Sequence, residues 1–129
     1  TAWEGIQFHL HAGSEHTIDG ERYDLEMHTV HFPPAGVSPE EGFIASAMGL
    51  VFSVDKYTAD LTFAEQQVID IFFESMKWTV NGPTVDLVAY GSLMEMVDFN
   101  NRWVYKGSVT TPPCATNIYW NVLSTVYPI

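Results

Sequence analysis

The chain has 129 residues, a length typical of one domain. It is 47% hydrophobic and 14% aromatic, which is enough apolar material for a packed core and excludes a disordered tail. Its 16 acids against 5 bases give a formal net charge of -11, which excludes a nucleic-acid surface and an anionic membrane surface as partners. No apolar run approaches the roughly 18 residues of a membrane helix.

The first half of the chain has the patterning of β-strands. Residues 6–12 and 22–31 each alternate in character, and the polar stretch 13–20 between them, rich in Gly, Ser, Asp and Glu, predicts a turn region. Two such strands in succession predict an antiparallel pair. Residues 48–54 are nearly all apolar, which predicts a third strand in the centre of a sheet.

One segment, residues 62–77, has the pattern of a helix. Thr62 and Glu65 have the spacing of a capping box, and the Asn-Gly-Pro sequence at 81–83 blocks continuation of the helix. The residues expected to form its apolar, core-facing stripe are Val68, Ile71, Phe72 and Met76.

The remaining elements are shorter. Residues 91–96 predict a short helix, and residues 102–106 and 117–123 predict two strands. The loop at 107–114 contains two prolines, which hold it out of regular structure. Together, the predicted strands and helices indicate a β-rich α+β fold.

All five histidines lie within the first 31 residues. His9 and His11 share a strand face, because side chains two residues apart point the same way. If the two strands pair, His28 completes a site of three histidines with one open position. This arrangement is typical of catalytic zinc, with carbonic anhydrase as the standard example. The other reading is a pair of polar residues on a solvated strand face.

Two neighbours strengthen the metal hypothesis. Gln7 shares a face with His9, and Glu26 shares one with His28, so each can accept the ring N–H that a metal leaves free. His31 alternates to the opposite face and His16 lies in the turn, so both are expected to be structural hydrogen-bonding residues.

Four segments, taken in order, resemble the α-class carbonic anhydrases: QFHLH at 7–11, GSEHTIDG at 13–20, LEMHTVH at 25–31 and GSVTTPP at 107–113. The resemblance implies a mostly antiparallel central β-sheet with peripheral helices. Since that family's domain is roughly twice as long, residues 1–129 would be part of a single domain whose N-terminal and C-terminal portions are absent.

The resemblance also implies an activity, the zinc-dependent reversible hydration of carbon dioxide to bicarbonate and a proton by a zinc-bound hydroxide. Carried over by position, His9, His11 and His28 are the Zn²⁺ ligands. Thr110 is then the hydroxyl that accepts a hydrogen bond from that hydroxide and donates its own proton to Glu15.

Further residues receive roles from the same resemblance. The walls of the CO2 pocket would be Val30, Val109, Thr111, Ile118 and Trp120. The ligand partners would be Gln7 and Glu26, and a polar network behind the site would contain His16 and Tyr105. Leu10 and Ala12 depart from the family, because they stand where it usually has aromatics that brace the ligand strand.

Two other readings remain open. A carbonic-anhydrase-like module could serve binding or assembly with little turnover. A cupin-type metalloenzyme is suggested by the spacing of His9, His11 and Glu15, but the required glycine spacing fails and no histidine follows His31.

Two further expectations concern the rest of the protein. Cys114, the single cysteine, resembles one that secreted relatives pair with an upstream partner, which points to an extracellular or other oxidising compartment. Both ends of the chain are apolar, so the remainder of the domain or a partner chain is expected to complete the sheet.

Overall fold

A computed structural model describes residues 2–39, 42–78, 85 and 87–129. The strands are β1 (Glu4–Ala12), β2 (Thr17–Ile18), β3 (Glu21–Arg22), β4 (Leu25–Phe32), β5 (Ala45–Ser53), β6 (Arg102–Ser108) and β7 (Thr116–Pro128). The helices are α1 (Phe63–Ser75) and α2 (Tyr90–Met96). Neither of these helices has the length and apolar character needed to cross a membrane.

Five strands form one mixed sheet in the order β1-β4-β5-β7-β6. Neighbours are antiparallel except β5 and β7, which are parallel, so the expected β-rich, mostly antiparallel architecture is confirmed. Strands β2 and β3 form a separate two-stranded sheet. The predicted central strand is β5, and all nine of its residues are buried.

The second predicted strand begins later than expected. Residue Arg22 lies in β3, and the long strand β4 starts at Leu25. The turn region therefore folds into its own small hairpin, with Asp19 and Gly20 at positive φ where β2 turns into β3. Since the long strand keeps its alternation, the faces assigned to Glu26 and His28 are unchanged.

Helix α1 begins with the predicted capping box. Thr62 accepts from the backbone N–H of Glu65, and the Glu65 carboxylate accepts from the N–H of Thr62. The predicted apolar stripe was partly wrong: Ile71 is 54% exposed, whereas Ile69 is fully buried beside Phe72. The core-facing residues Ile69, Phe72, Phe73 and Met76 have helical spacing, and Ile71 falls outside that spacing. The predicted helix stop at 81–83 lies outside the described residues.

The two sheet faces have different roles. The helices pack on one face, hereafter the helix face, over a core whose members include Met27, Leu50, Phe52, Phe72 and Leu123. The opposite face, hereafter the site face, carries a smaller apolar cluster of Ala45, Ala47, Ile118, Trp120 and Val122.

The apolar C-terminal end is better covered than the sequence suggested. Strand β7 lies between β5 and β6, so Val122, Leu123 and Val126 are buried. Exposed apolar side chains occur instead on the two outer strands: Ile6 on β1, and Trp103, Val104 and Tyr105 on β6.

Candidate metal centre

Pairing of β1 with β4 brings three histidines together. His9 lies directly opposite His28 in the register, and His11 lies two residues along the same face. The ring centroids are 5.0 Å apart for His9 and His11, 5.3 Å for His9 and His28, and 4.5 Å for His11 and His28. One nitrogen from each ring lies within 4.8 Å of the other two, so a single ion can contact all three.

Hydrogen bonds select which nitrogen each ring can offer. Nδ1 of His9 donates to Oε1 of Gln7 at 2.9 Å, which leaves Nε2 free. Nε2 of His28 donates to Oε1 of Glu26 at 3.0 Å, which leaves Nδ1 free. Each contact fixes a tautomer and a ring orientation, and the role of Gln7 and Glu26 as partners of metal ligands stays a prediction.

His11 supplies the third free nitrogen. Its Nδ1 lies 3.4 Å from Oε1 of Glu15, while its Nε2 is buried without a hydrogen-bond partner among the described residues. A buried ring nitrogen without a partner is costly, and a coordinated cation removes that cost. Three imidazole nitrogens within 4.8 Å of one another fit Zn²⁺ by chemistry and by number.

The electrostatics favour a neutral imidazole at His9. Burial, followed by the neighbouring His28 and His11 rings, lowers the pKa of His9 from its ordinary value. A lowered pKa keeps the ring deprotonated near neutral pH, which is the form that binds metal.

Glu26 is fully buried and organises the site from behind. Its Oε1 accepts from His28 and also from Nδ1 of His16 at 2.6 Å, while its Oε2 accepts from the backbone N–H groups of Glu15 and His16, both at 2.8 Å. Burial alone would raise the pKa of this carboxyl, but the bonds from His16 and His28 outweigh it and leave the pKa well below its usual range. Glu26 is therefore an anion held by four donors.

A second group, formed by His16, Glu26 and His28, also has metal-like spacing. Its atoms are already committed to one another: His16 and His28 both donate to Glu26, and Nε2 of His16 accepts from the Tyr105 hydroxyl at 2.7 Å. This group is a hydrogen-bond network that includes His16 and Tyr105. The ring of Trp120 packs against both histidines, 4.7 Å from His28 and 5.0 Å from His16.

A cavity of about 340 Å³ opens beside the histidines on the site face. It brings together six residues named from the sequence, which are Val30, Val109, Thr110, Thr111, Ile118 and Trp120. Gln7, His9 and His28 form its polar side. The cavity therefore places the side chains of His9 and His28 next to an apolar wall.

Thr110 and Glu15 are placed by different contacts. Thr110 lines the cavity, whereas the Glu15 carboxylate lies 3.4 Å from Nδ1 of His11 and 3.8 Å from Nδ1 of His28. The hydrogen bond from Thr110 to Glu15 stays a prediction.

Sequence reasoning missed part of the cavity. Phe32, Ile44, Ala45 and Ala47 also line it. The signal for Phe32 was present, since it follows Val30 by two residues on one strand face. The two alanines could be assigned to the cavity only from the strand register. It places Ala47 opposite Val30 on one side and opposite Trp120 on the other.

Gly49 was missed as well, although it decides whether Glu26 fits. A Cβ at this position would lie 2.6 Å from Oε1 of Glu26. Gly49 lies opposite His28 on the neighbouring strand, and Glu26 precedes His28 by two residues on the same face. Because Gly49 has no side chain, the Glu26 carboxylate can fill the space above it. Only the pairing of β4 with β5 reveals this.

The profile of the eukaryotic-type carbonic anhydrases matches residues 1–129. The chain belongs to this carbonic anhydrase family. It is 30% identical over 123 residues to a carbonic anhydrase of Nostoc sp., an alignment that covers 95% of this chain and 41% of that protein. The identity is also 30% with alpha carbonic anhydrase 6 of Arabidopsis thaliana, of which 41% is covered, and with a dioscorin of Dioscorea polystachya, of which 42% is covered.

Solved carbonic anhydrase structures share the fold. The enzyme from Thermovibrio ammonificans, solved with the inhibitor sulfanilamide, superposes with a TM-score of 0.66 at 25% identity over 98% of this chain and 50% of that one. A hyperthermostable carbonic anhydrase from a hydrothermal vent chimney gives 0.61 at 26% identity, with half of that chain covered. The chain thus spans less than half the length of these curated relatives and half of these solved chains.

Proposed function

We propose that the protein catalyses the reversible hydration of carbon dioxide to bicarbonate and a proton, with Zn²⁺ held by His9, His11 and His28. The observation that carries the proposal is the convergence of three free imidazole nitrogens beside an apolar cavity. Membership of the carbonic anhydrase family supports the same activity. When bound, zinc supplies Lewis acidity that ionises water near neutral pH, as is known for carbonic anhydrases themselves.

The chain's own residues would prepare both reactants. Val30, Ile118 and Trp120 offer carbon dioxide, a small apolar molecule, a dry wall rather than a charge. Gln7 would keep the proton of His9 on Nδ1, and Glu26 would keep that of His28 on Nε2. Nε2 of His9 and Nδ1 of His28 would then stay available to the metal.

Thr110 and Glu15 would control the direction of a proton. In this proposal the Thr110 hydroxyl donates its proton to the Glu15 carboxylate, which leaves only the hydroxyl's lone pairs facing the cavity. The oxygen nucleophile would donate a hydrogen bond to Thr110. Its lone pair would then point toward the carbon dioxide. Thr111, which also lines the cavity, would form part of the substrate side.

Oxygen-18 exchange between carbon dioxide and water, measured on the full polypeptide that contains these residues, tests the activity. Thr110→Val should lower the exchange rate by about 100-fold or more, the usual effect of removing one such positioning group, and should leave the zinc content unchanged. Glu15→Gln should act in the same direction. His9→Ala should lose zinc and activity together; full retention of both would overturn the ligand assignment.

We propose that residues 1–129 are part of one longer carbonic anhydrase domain, and that polypeptide outside them completes the sheet. The exposed apolar side chains Ile6 and Trp103 on its two outer strands support this. The coverage of only 41% of the relatives' length supports it too.

We also propose that the protein works in an extracellular or other oxidising compartment, where Cys114 pairs with an upstream cysteine. Cys114 is exposed at a turn where its N–H donates to the Thr111 carbonyl at 2.8 Å, so a disulfide there would hold the loop that carries Thr110. Native full-length protein should resist thiol reagents until a reductant is added. Rapid labelling without reductant would contradict the disulfide and the compartment.

The second candidate is a binding module with little or no turnover. One relative that matches this chain at 30% identity is named a dioscorin and not a carbonic anhydrase, so family membership alone does not decide between the two candidates. The oxygen-18 assay separates the two candidates. Stoichiometric zinc without any exchange above the rate of the His9→Ala variant would favour the binding module.

A further inference from the structure

A second cavity, of about 450 Å³, opens on the helix face, across the sheet from the histidine cluster. Alternate residues of the same two strands line the two cavities. Val30 and Ala47 line the cavity beside the histidines, whereas His31, Ser46 and Met48 line the second one, hereafter the helix-face cavity. Its volume lies within the range of small-molecule sites, roughly 300–1,000 Å³.

The apolar part of the helix-face cavity suits a flat ring. Three aromatic rings and two thioethers line it: Trp3, Met48, Tyr90, Met94 and Phe99. The ring of Tyr90 is held by a stacked contact with Phe8, with the two ring centroids 5.5 Å apart. Aromatic rings and thioethers both make favourable contacts with the faces and edges of a further aromatic ring.

Arg102 brings a positive charge to the same cavity. Its Nε donates to Oδ1 of Asn121 at 3.0 Å, and its Nη1 donates to the Phe99 carbonyl at 2.7 Å. Both acceptors are neutral, and no carboxylate among the described residues forms an ion pair with this guanidinium. Since a guanidinium has five N–H donors, these two bonds orient it and leave donors for an anionic group.

The other polar side chains of the cavity are neutral. Nδ2 of Asn121 donates to Oγ of Ser46 at 3.4 Å, and that hydroxyl donates to the Tyr119 carbonyl at 3.2 Å. Burial lowers the pKa of His31, which keeps its ring uncharged near neutral pH. Among the described residues that line the cavity, Arg102 therefore carries the charge alone.

We propose that the helix-face cavity binds a small aromatic monocarboxylate, with the carboxylate on Arg102 and the ring among the aromatic and thioether side chains. One guanidinium matches one carboxylate, and its fork of N–H donors matches the two oxygens. A phosphate group would bring close to two negative charges to this one cation, in a chain whose net charge is -11. The site lies on the opposite face of the sheet from the metal centre and does not rest on the proposed function.

Isothermal titration of the full polypeptide with phenylacetate tests the proposal. Binding should be saturable in chelator-treated protein, in which a carboxylate cannot bind to zinc. Phenylacetamide, a neutral molecule of the same shape, should bind at least about tenfold more weakly, because it loses the charge-assisted hydrogen bonds. Acetate, which lacks the ring, should also bind more weakly than phenylacetate.

Two variants on β6 locate the carboxylate. Arg102→Gln should weaken phenylacetate binding at least about tenfold and should change phenylacetamide binding little. Lys106→Gln is the matched control, because it removes a cation four residues along the same strand that does not line the cavity. It should leave both affinities unchanged. The comparison of phenylacetate with phenylacetamide on the parent protein needs no variant, so it decides the matter even if Arg102→Gln does not fold.

The outcomes separate this site from the metal centre. His9→Ala should retain phenylacetate binding, and such binding in a protein without carbon dioxide hydration would contradict the proposed function alone. Phenylacetate binding found only in zinc-loaded protein would place the carboxylate at the metal and overturn the assignment. So would equal affinities for phenylacetate and phenylacetamide, or equal losses in Arg102→Gln and Lys106→Gln. No saturable binding to the full polypeptide would also overturn it, and would indicate that residues outside 1–129 fill the cavity.

Discussion

Gly49 and Glu26 occupy one space in the sheet: a Cβ on the glycine would lie 2.6 Å from the carboxylate oxygen that binds His28. That oxygen cannot move aside freely, because His16 and His28 both donate to it. Gly49→Ala should therefore destabilise the fold by about 1–3 kcal/mol, as overpacking usually does. It should also weaken zinc binding by at least about tenfold, measured by competition with a chelator.

Gly91→Ala is the matched control for this substitution. Gly91 lies in α2 with open space around its Cβ position, so alanine should be tolerated there and favour the helix. Equal losses of stability in both variants would show that the close approach at Gly49 has no special effect.

Glu26→Gln should weaken zinc binding about 10- to 100-fold, the range for groups that orient ligand histidines. A glutamine has one acceptor oxygen where Glu26 has two, so either the two histidine rings or the two backbone N–H groups face an NH2 group and lose their acceptor. Isothermal titration with zinc measures the effect. Gln7→Ala should weaken zinc binding less than Glu26→Gln does, because Gln7 is exposed and water can replace it as the acceptor for His9. A larger loss at Gln7 would contradict this ordering.

Ala47→Leu should block the cavity. Ala47 lies opposite Val30 and opposite Trp120 in the two adjoining strand pairs, so a larger side chain takes up the space that we propose for carbon dioxide. In the full polypeptide the oxygen-18 exchange rate should fall while zinc content and the unfolding midpoint change little. Ala64→Leu, at an exposed position of α1, should leave the exchange rate unchanged. Full activity in Ala47→Leu would place the substrate elsewhere.

Acid should destabilise the metal-free chain below about pH 6.5, the ordinary pKa of histidine. Burial is the main reason that the pKa values of His9 and His31 are lowered in the folded state. The unfolded chain then binds more protons than the folded chain, so stability falls as the pH falls through this range. Urea unfolding of chelator-treated protein at several pH values measures the slope.

His31→Gln is the control for the pH effect, since His31 lies on the helix face, away from the metal site. The variant should keep only the part of the slope that His9 supplies. Stability that rises on acidification from pH 7 to pH 5 would contradict both lowered pKa values.

The site was predictable wherever sequence spacing alone sets geometry. The shared faces of His9 with Gln7 and of His28 with Glu26 follow from the period of a strand, and the structure shows both pairs in contact. The capping box at Thr62 was equally local. Such features need no knowledge of which strands are neighbours.

Features that depend on long-range pairing were not predictable. Gly49 matters only because β5 lies beside β4, and the shelter of the C-terminal end depends on the parallel contact between β5 and β7. The exposed side of α1 was misjudged at Ile71, because an apolar residue one position off the stripe resembles a core residue in sequence.

Two histidine groups share His28, and zinc retention in two variants distinguishes them most directly. His11 belongs only to the ligand cluster, and His16 belongs only to the network behind it. Elemental analysis after dialysis against a weak chelator should find one zinc per chain in the parent, none in His11→Ala and nearly one in His16→Ala. Zinc retained by His11→Ala and lost by His16→Ala would place the metal in the His16–Glu26–His28 group and contradict the account.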